Sequence, residues 1–316
     1  MNDLPARLLP VLDAYPPRKK YLIGVSGGRD SMVLLDALHD LGYHKLIICH
    51  LNHGLRGAAS RADGNLVRRI AKKAGIEFET ATVDVKAYAS REKCSVELAA
   101  RELRFAFFAR CARSHRCPRL FLAHHADDQI ETSLFNFLRG TGAAGIAGMK
   151  PVSRRPGLEI IRPLLGVSRD EIAAYAREKD IPWREDASNQ DRAHQRNRLR
   201  LDVLSAITTA LGTSHRAAIL RAAEILREED AWMESLVPPV TKQLPCETLR
   251  AMPEALRRRF VLRWLKQLGV PEAGFQETMR TLALLNDGSG PAKVSLPGNF
   301  HARRRTGKIF LERNHP

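Results

Sequence analysis

The fold is restricted most by the segment YLIGVSGGRDSMVLLDAL, residues 21–38, in which a strand, a glycine turn and a helix follow directly on one another. Residues 21–25 are apolar, as in a short buried strand, and Gly27 and Gly28 predict a tight turn. Residues 31–38 then carry apolar side chains at helical spacing. Such a turn places the free backbone N–H groups of a helix N-terminus beside the end of a strand, which suits an anion. We therefore expect a phosphate group to bind at this turn.

A regular alternation of strands and helices continues along the chain. Apolar runs of strand length occur at residues 45–50, 78–85, 119–124 and 158–165. Helical patterns occur at residues 61–75, 95–114 and 126–140, and again from Ser168. Strands separated by helices form right-handed βαβ units, because parallel strands need long crossovers. The sequence therefore predicts an α/β fold with a doubly wound parallel sheet, which binds ligands at the carboxyl ends of its strands.

The amino-acid composition and the periodicity of the sequence change near residue 210. Beyond it lie arginine-rich helical segments, and the tail from residue 293 alternates apolar and polar residues around Pro-Gly-Asn and Thr-Gly turns. We therefore expect two domains, a larger one over residues 1–210 and a smaller, mainly helical one over residues 211–316 with a small sheet at its end.

The chain of 316 residues is strongly basic. Lysine and arginine number 51 against 35 for aspartate and glutamate, which gives a formal net charge of +16. So large an excess favours a polyanionic partner, and nucleic acid is the first expectation. A basic enzyme without such a partner is the alternative that charge alone leaves open.

Cysteine content and hydropathy indicate the compartment. The five cysteines form no CxxC pair, so neither a disulfide framework nor a structural zinc site is predicted. The N-terminal segment lacks the apolar core of a signal peptide, and no apolar run of about 18 residues occurs. We expect a reducing, cytoplasmic setting and no membrane association.

Three polar segments follow predicted strands and should meet at one edge of the sheet. They are residues 26–31 (SGGRDS), residues 50–56 (HLNHGLR) and residues 124–131 (HHADDQIE). A glycine turn alone is a weak signal. Three polar segments from distant parts of the chain that converge on one cleft indicate a functional site much more strongly.

Asp30 stands where a Walker-type nucleotide loop would have a lysine. A carboxylate cannot hold phosphate directly, but it can hold a Mg²⁺ ion that bridges phosphate oxygens. If Ser26, Gly27, Gly28 and Ser31 bind pyrophosphate, the α-phosphate is left open to attack. That arrangement describes an adenylating enzyme and not a kinase. The alternative is that Asp30 only caps the helix.

Asp128 and Glu131 lie three residues apart in the first turn of a predicted helix and therefore on one face. Such a carboxylate pair suits an ammonium group or Mg²⁺, and the alternative is that both only complement the helix dipole. The neighbouring His124, His125 and Asp127 add ligand types suited to a transition metal. A transition-metal site is the weaker interpretation, because no further cluster of ligands completes a coordination shell.

Together these segments resemble the tRNA(Ile)-lysidine synthases of the N-type ATP pyrophosphatase (PP-loop) superfamily. Residues 26–31 are similar to the SGGxDS loop of the superfamily, and the narrower resemblance rests on HLNHGLRG, VELAARELRF, AHHADDQIETSLFNFLRGTG, GIAGM, IRPLL and WREDASNQDRAHQRNRLR. It covers about residues 20–200 and is looser after residue 210. The implied fold is of the adenine nucleotide α-hydrolase-like kind, with a PP-loop catalytic domain over residues 1–210 and a tRNA-binding domain over residues 211–316.

The resemblance also implies an activity. Members of this family use ATP to join lysine to the wobble cytidine of the isoleucine tRNA with a CAU anticodon, through an adenylated tRNA intermediate, and release AMP and pyrophosphate. ATP and Mg²⁺ are the implied cofactors, and tRNA(Ile) and L-lysine are the implied partners. The sequence leaves the oligomeric state open, a homodimer included.

By the same resemblance, each group of site residues has an expected role. The ATP site comprises Ser26, Gly27, Gly28, Arg29, Asp30, Ser31, His50 and His53, with Asp30 as the metal ligand. The catalytic residues are Asp30, Arg104, Asp128 and Glu131. The side facing lysine or tRNA comprises Asp128, Glu131, Arg101, Arg139, Arg196, Asn197 and Arg198. Packing or a solvent-facing charge is the alternative for any one of these arginines.

Two other classes of function remain as alternatives. One is a different PP-loop enzyme, either an amidating synthetase or a thiolase-like tRNA-modifying enzyme, although Cys111 and Cys117 are poor candidates for the cysteine pair of a thiolase. The other is a non-catalytic RNA-binding module. The presence of Asp30, Asp128 and Glu131 argues against it, since acidic groups repel RNA and serve no purpose in such a module.

Overall fold

The structure is a computed structural model that describes residues 3–55, 57–184, 192, 195–286 and 290–313. The contacts divide the chain into two compact units, Met1–Leu226 and Arg227–Pro316. The division falls later than the boundary near residue 210 expected from the sequence. It lies inside one continuous helix, Ser214–Ser235, and a helix that crosses the boundary gives no change of composition to mark it.

The first unit is built on a six-stranded sheet in the order β3-β2-β1-β4-β6-β5. The strands are β1 (Tyr21–Gly24), β2 (Leu46–Asn52), β3 (Glu77–Thr82), β4 (Arg119–Phe121), β5 (Val152–Arg155) and β6 (Leu158–Ile161). All neighbouring strands pair in parallel except β5, which runs antiparallel to β6. The predicted α/β fold class with its parallel sheet is confirmed.

Helices cover both faces of this sheet. They are α1 (Leu4–Leu12), α2 (Arg29–Asp40), α3 (Ala58–Ala74), α4 (Val85–Glu92), α5 (Val96–Ser114), α6 (Ala126–Leu138), α7 (Ala143–Ile146), α8 (Arg169–Glu178), α9 (Gln195–Arg198), α10 (Leu204–Leu211) and α11 (Ser214–Ser235). A 3-10 helix spans Pro163–Gly166, and a π-helix spans Leu199–Val203. No helix within the described ranges is both long and apolar enough to cross a membrane.

The hydrophobic core lies on the two faces of the sheet, and the alternation of each strand decides which side chain enters which face. Tyr21 and Ile23 of β1 belong to the cluster that α1, α2 and α8 complete, whereas Leu22 belongs to the cluster under α5. All three side chains are fully buried, as expected for a central parallel strand.

Three predicted strands end at least three residues earlier in the structure. The strand predicted at 119–124 ends at Phe121. The strand predicted at 78–85 ends at Thr82, because the side chain of Asp84 accepts a hydrogen bond from the Ala87 amide at 3.0 Å and caps α4. The strand predicted at 158–165 ends at Ile161, because Pro163 begins a 3-10 helix.

The hairpin of β5 and β6 was not predicted. Its two-residue turn is Pro156-Gly157, with Gly157 at a φ of +73°, as a type II turn requires. It adds an antiparallel edge strand to an otherwise parallel sheet.

The second unit carries a four-stranded antiparallel sheet in the order β7-β10-β9-β8, which agrees with the predicted small sheet. Its strands are β7 (Gln243–Pro245), β8 (Lys293–Leu296), β9 (Phe300–Arg305) and β10 (Lys308–Arg313), and its helices are α12 (Cys246–Ala251), α13 (Glu254–Gln267) and α14 (Phe275–Leu282). Trp264 is the largest side chain of its core, and its indole N–H donates to the Thr241 carbonyl at 3.0 Å.

Gly24, the last residue of β1, has no room for a side chain. An added Cβ would lie 2.7 Å from Leu122 Cδ2 and 3.0 Å from Phe108 Cζ. We expect Gly24→Ala to lower the free energy of unfolding by about 1–3 kcal/mol, because overpacking a buried site forces its neighbours to move. Urea unfolding followed by circular dichroism measures the change.

Gly166→Ala is the matched control, since nothing lies within 4 Å of its added Cβ. Its free energy of unfolding should change by less than about 0.5 kcal/mol. Equal losses for the two variants would contradict the packing of β1 described above.

Candidate active site

The loop between β1 and α2 is closed by its two serines. Ser26 Oγ lies 3.2 Å from Ser31 Oγ and accepts from the Gly28 amide at 3.2 Å, while Ser31 Oγ donates to the Gly28 carbonyl at 2.9 Å. Gly27 has a φ of +91°, which favours glycine. Gly28 is the N-cap residue of α2 and has no side-chain cap bond, so the loop presents backbone N–H groups at the start of the helix.

Helix α3 and the segment after α8 hold this loop from outside. A Cβ on Gly27 would lie 3.4 Å from Asp63 of α3, whose carboxylate accepts from Arg184 Nε at 2.8 Å. The Arg184 amide donates to the Gly27 carbonyl at 3.0 Å. Neither Asp63 nor Arg184 was predicted as a site residue, because no local pattern marks these long-range contacts.

Asp30 lies in the second position of α2 and not at its cap, so the capping alternative does not describe it. Its Oδ2 is 3.5 Å from His125 Nε2, and its Oδ1 accepts from Arg29 Nε at 3.3 Å. Burial alone would raise the pKa of Asp30. Hydrogen bonding and charge from His125, together with Arg29, outweigh burial and lower the pKa below its usual value.

His125 is buried between carboxylates at the N-terminus of α6. Its Nε2 is 3.6 Å from Asp128 Oδ2 in addition to its contact with Asp30, and its Nδ1 is 3.7 Å from Asp127 Oδ2. Burial would lower the pKa of His125, but the hydrogen bond to Asp30 and the charge of Asp128 raise it above its usual value. The sequence suggested His125 only as a metal ligand, whereas in the structure its ring lies between the carboxylates of Asp30 and Asp128.

Asp128 and Glu131 share one partner, Arg196 of α9. Arg196 Nε donates to Glu131 Oε2 at 2.8 Å, and its terminal nitrogen donates to Asp128 Oδ1 at 3.3 Å. Asp128 Oδ2 also accepts from the His125 amide at 3.0 Å, which closes a capping box. The two carboxylates do lie on one face, and a cationic side chain occupies the space between them.

Asp127 has a different role from its neighbour. It is buried, accepts from the Arg169 amide at 2.9 Å and forms an ion pair with Arg216. These contacts tie the start of α6 to α8 and α11. Asp127 therefore positions the helix that carries Asp128.

The acidic residues and His125 line one polar cavity of about 400 Å³ at the carboxyl edge of the sheet, whereas Arg196 lies outside its lining. Its lining comprises Asp30, His125, Asp127, Asp128, Glu131, Arg169, Asp170, Arg200, Leu204, Ser205, Thr208 and Arg216. A more open groove of about 880 Å³ beside α1 and β5 contains none of the predicted site residues. The smaller cavity is the candidate site, because the charged groups converge there.

The charges of Asp128 and of several arginines act on both Arg104 and His124. Burial and then the charges of other arginines lower the pKa of Arg104 to about 10. Burial lowers the pKa of His124 to about 3, so its imidazole is neutral. The surroundings therefore disfavour protonation of His124, whereas they favour protonation of the adjacent His125.

Other predicted residues lie outside the cavity lining. His50 is buried, its Nδ1 lies 2.9 Å from the Val25 carbonyl, and burial lowers its pKa. His53 is half-buried just after β2. Arg139 is exposed at the end of α6, where its guanidinium lies 5.1 Å from the centre of the Phe135 ring.

Asn197 and Arg198 also lie outside the lining. Asn197 accepts from Arg200 at 3.4 Å, and Arg198 is exposed. Part of the predicted segment 183–200 and Arg56 of the segment 50–56 lie outside the described residues.

The donor set of the cleft fits Mg²⁺ better than a transition metal. Asp30 and Asp128 present carboxylate oxygens on either side of His125, and hard divalent cations prefer oxygen ligands. Within the described ranges, the one trio of ligand atoms within 4.8 Å of one another belongs to Glu77, Glu79 and His115, where β3 meets the end of α5. A transition-metal site at His124 and His125 therefore gains no support.

A family model described as the PP-loop domain matches residues 4–207. The chain belongs to the PP-loop family. Membership of the PP-loop family implies ATP use, and the loop geometry at Ser26–Ser31 agrees with it. A second model, the TilS substrate binding domain, matches residues 244–310.

Curated relatives extend this PP-loop assignment. A tRNA(Ile)-lysidine synthase from Solibacter usitatus is 35% identical over 288 residues, which cover 87% of this chain and 63% of the relative. One from Symbiobacterium thermophilum is 34% identical over 322 residues, covering 95% and 66%. The chain thus spans about half to two thirds of the length of the first curated relatives it matches.

Among solved structures, a tRNA thiolase from Methanococcus maripaludis is similar in fold. It superposes with a TM-score of 0.57 at 18% identity, covering 77% of this chain and 81% of the thiolase. At that identity the comparison supports the PP-loop fold alone.

Arg196 offers a direct test of this site geometry. We expect Arg196→Ala to lower the free energy of unfolding by about 1–3 kcal/mol, because it leaves the buried Glu131 carboxylate without its cation. The Arg196 side chain is 40% exposed, so screening keeps the loss below that of a fully buried pair. Urea unfolding measures the loss.

Arg198→Ala is the control, because Arg198 lies in the same short helix and is exposed. Its effect should stay within about 0.5 kcal/mol. If both variants unfold at the same urea concentration as the unchanged chain, Arg196 does not stabilise the carboxylate pair.

Proposed function

We propose that this chain uses ATP to join L-lysine to the wobble cytidine of the isoleucine tRNA with a CAU anticodon, with release of AMP and pyrophosphate. The observation that carries the proposal is the carboxylate pair Asp128 and Glu131, which binds the cationic side chain of Arg196 and lines the same cavity as Asp30 of the PP-loop. Two curated relatives whose alignments cover 87% and 95% of this chain are tRNA(Ile)-lysidine synthases, which supports the same reaction.

The first step assigns the PP-loop to ATP. Backbone N–H groups around Gly27 and Gly28 would bind the β- and γ-phosphates, which become pyrophosphate. Asp30 would hold Mg²⁺, which when bound offsets phosphate charge. The lowered pKa of Asp30 keeps the carboxylate ionised for that role at neutral pH.

The adenylation step leaves the α-phosphate as the electrophile. The 2-oxygen of the cytosine attacks the α-phosphorus, the bond to the β-phosphate oxygen breaks, and pyrophosphate leaves. Arg104 is the candidate for stabilising charge on the RNA side, since its side chain lies within reach of the Asp128 charge and its Nε is buried with no hydrogen-bond partner.

The second step brings lysine to the activated carbon. Its ε-amine has a reference pKa of about 10.4, so it arrives as an ammonium and must lose a proton before its nitrogen displaces AMP. Asp128 and Glu131 would hold the cationic amine in the place where Arg196 now lies. Arg196 would then be released toward the RNA, which offers phosphates in exchange.

The second unit is the proposed platform for the tRNA. Residues 244–310 match the TilS substrate binding domain, and the chain carries a net charge of +16. A basic surface attracts the RNA backbone without reading its sequence. The proposed reaction also implies that the chain acts in the cytoplasm, where ATP, lysine and tRNA occur together.

A thiolase-like reaction is less well supported. Thiolation needs an accessible cysteine nucleophile. Cys49, Cys111, Cys117 and Cys246 are buried, Cys94 is half-buried, and none of them lines the cavity. Incubation of the chain with ATP, labelled lysine and total tRNA tests the proposal directly, because AMP and labelled tRNA should appear only when all three are present.

Asp30→Asn tests the metal role. We expect it to abolish AMP formation while tRNA binding persists, because it removes the proposed metal ligand and leaves the basic surface intact. AMP is measured by thin-layer chromatography and binding by filter retention. Asp13→Asn, an equal charge change at an exposed helix end, should keep full activity. Normal AMP release from Asp30→Asn at saturating Mg²⁺ would contradict the metal role.

Glu131→Gln separates lysine binding from ATP chemistry. Loss of one charge-assisted hydrogen bond should cost about 1.5–3 kcal/mol, or roughly 10- to 150-fold in kcat/KM for lysine. Adenylated tRNA should still form from ATP at close to the normal rate. Single-turnover assays with and without lysine distinguish the two steps. A normal requirement for lysine combined with weak ATP binding would show that Glu131 serves the metal and not lysine.

A further inference from the structure

Three arginine side chains surround one buried phenylalanine ring on the α5 side of the sheet. Their guanidinium carbons lie 5.5 Å (Arg101), 5.7 Å (Arg104) and 4.0 Å (Arg155) from the ring centroid. The ring is that of Phe105, which is 7% exposed. Arg101 and Arg104 belong to α5, whereas Arg155 is the last residue of β5, next to the hairpin turn. The cluster therefore joins two elements that are distant in sequence.

This cluster has no counter-charge bound to it. Within the described part of the chain, Arg101, Arg104 and Arg155 make no hydrogen bond or ion pair, and Arg104 Nε is buried without a partner. Burial and the nearby Arg155 and Arg196 lower the pKa of Arg101. Neighbouring cations repel one another, and the buried Arg104 Nε lacks a partner, so an anion that joined the three side chains would stabilise them. The geometry indicates an anion site.

Arg155, whose guanidinium carbon lies 4.0 Å from the ring centroid, suits a phosphate in particular. A guanidinium carries its N–H donors in one planar fork, and contact of the group with an aromatic ring does not use them. Those donors match two phosphate oxygens at once. Arg155, which is exposed and lies closest to the ring, is the member of the cluster most able to meet an incoming ligand.

The position of the cluster favours an RNA phosphate over the phosphates of ATP. None of Arg101, Arg104 and Arg155 lines the cavity that contains Asp30. The charges that most affect the pKa of Asp30 are those of His125 and Arg29, and neither belongs to the cluster.

We propose that Arg155 completes, with Arg101 and Arg104, a binding site for a backbone phosphate of the RNA, close to the nucleotide that reacts. Arg155 is a residue that sequence reasoning did not find. The identity of the RNA rests on the proposed function, whereas the phosphate chemistry rests on the cluster itself.

The neighbouring Arg154 provides a matched control. Arg155 pairs with Leu158 across the hairpin, and Leu158 packs in the same core cluster as Phe105. Arg154 pairs with Glu159 and points to the opposite face of the sheet, where its side chain is 86% exposed and 3.6 Å from the Glu159 carboxylate. Alanine at either position removes one positive charge, so only the place of the charge differs.

The test measures RNA binding by the full chain without ATP over a range of KCl concentrations, with total tRNA and with an RNA hairpin carrying a CAU loop. Arg155→Ala should weaken binding about tenfold at low salt, the lower end for a charge-assisted bond. The slope of log K against log salt should fall by about 0.7–0.9, the value for one phosphate contact. Arg154→Ala should bind within about twofold of the unchanged chain, with an unaltered slope.

Arg155→Lys keeps the charge but loses the planar fork of the guanidinium. It should retain the salt slope, and its loss in log affinity should be about half of that of Arg155→Ala. Thermal unfolding of each variant shows whether it is folded. If Arg155→Ala does not fold, Arg155→Lys carries the test, and affinity equal to that of the unchanged chain would overturn the proposal.

The outcomes separate this proposal from the proposed function. If Arg155→Ala binds RNA as Arg154→Ala does, the phosphate site is wrong even when the unchanged chain incorporates lysine normally. If Arg155→Ala loses RNA affinity while the unchanged chain incorporates no lysine, the phosphate site stands and the proposed reaction is wrong. If Arg155→Ala raises the KM for ATP and leaves RNA binding unchanged, the cluster binds the nucleotide triphosphate and the proposal is overturned.

Discussion

The buried imidazole of His125 is the contact on which the arrangement of the cleft depends. It lies 3.5 Å from the carboxylate of Asp30 and 3.6 Å from that of Asp128, which come from the first turns of the helices that follow two neighbouring strands. Two carboxylates at such a distance from one group would otherwise repel each other, and one would take up a proton. The interaction between His125 and Asp30 contributes both to the raised pKa of His125 and to the lowered pKa of Asp30. The lowered pKa of Asp30 favours its ionised form in a largely buried place.

Much of this could be predicted from the sequence, because the signals are local. The strand, turn and helix around Gly27, and the three-residue spacing of Asp128 and Glu131, are patterns that a short window contains. What could not be predicted depends on contacts between distant residues. β5 reads Val-Ser-Arg-Arg, which has no apolar periodicity, and it becomes a strand only because β6 offers a free edge.

The same limit applies to side chains in the site. Asp127 and Asp128 are adjacent acids, yet one receives the Arg169 amide and Arg216, and the other receives Arg196. Their sequence neighbourhood is nearly identical, so only the fold distinguishes the residue that anchors α6 to α8 and α11 from the one that pairs with Arg196. Arg155 and Arg154 differ for the same reason, since the pleat of one strand sends them to opposite faces.

The contact of Arg196 with both carboxylates has a consequence for selectivity. Any cation that enters between Asp128 and Glu131 must exchange with a guanidinium already there, so its affinity is the difference between two ion pairs. The positive charge of an entering ligand alone then adds little affinity, because the Arg196 guanidinium already supplies a positive charge there. The ligands that succeed are those whose length lets the ammonium reach the pair while the rest of the molecule is held elsewhere. The space between Asp128 and Glu131 thus selects a cation by the length of the chain that carries it, and a small inorganic cation gains little from replacing Arg196 there.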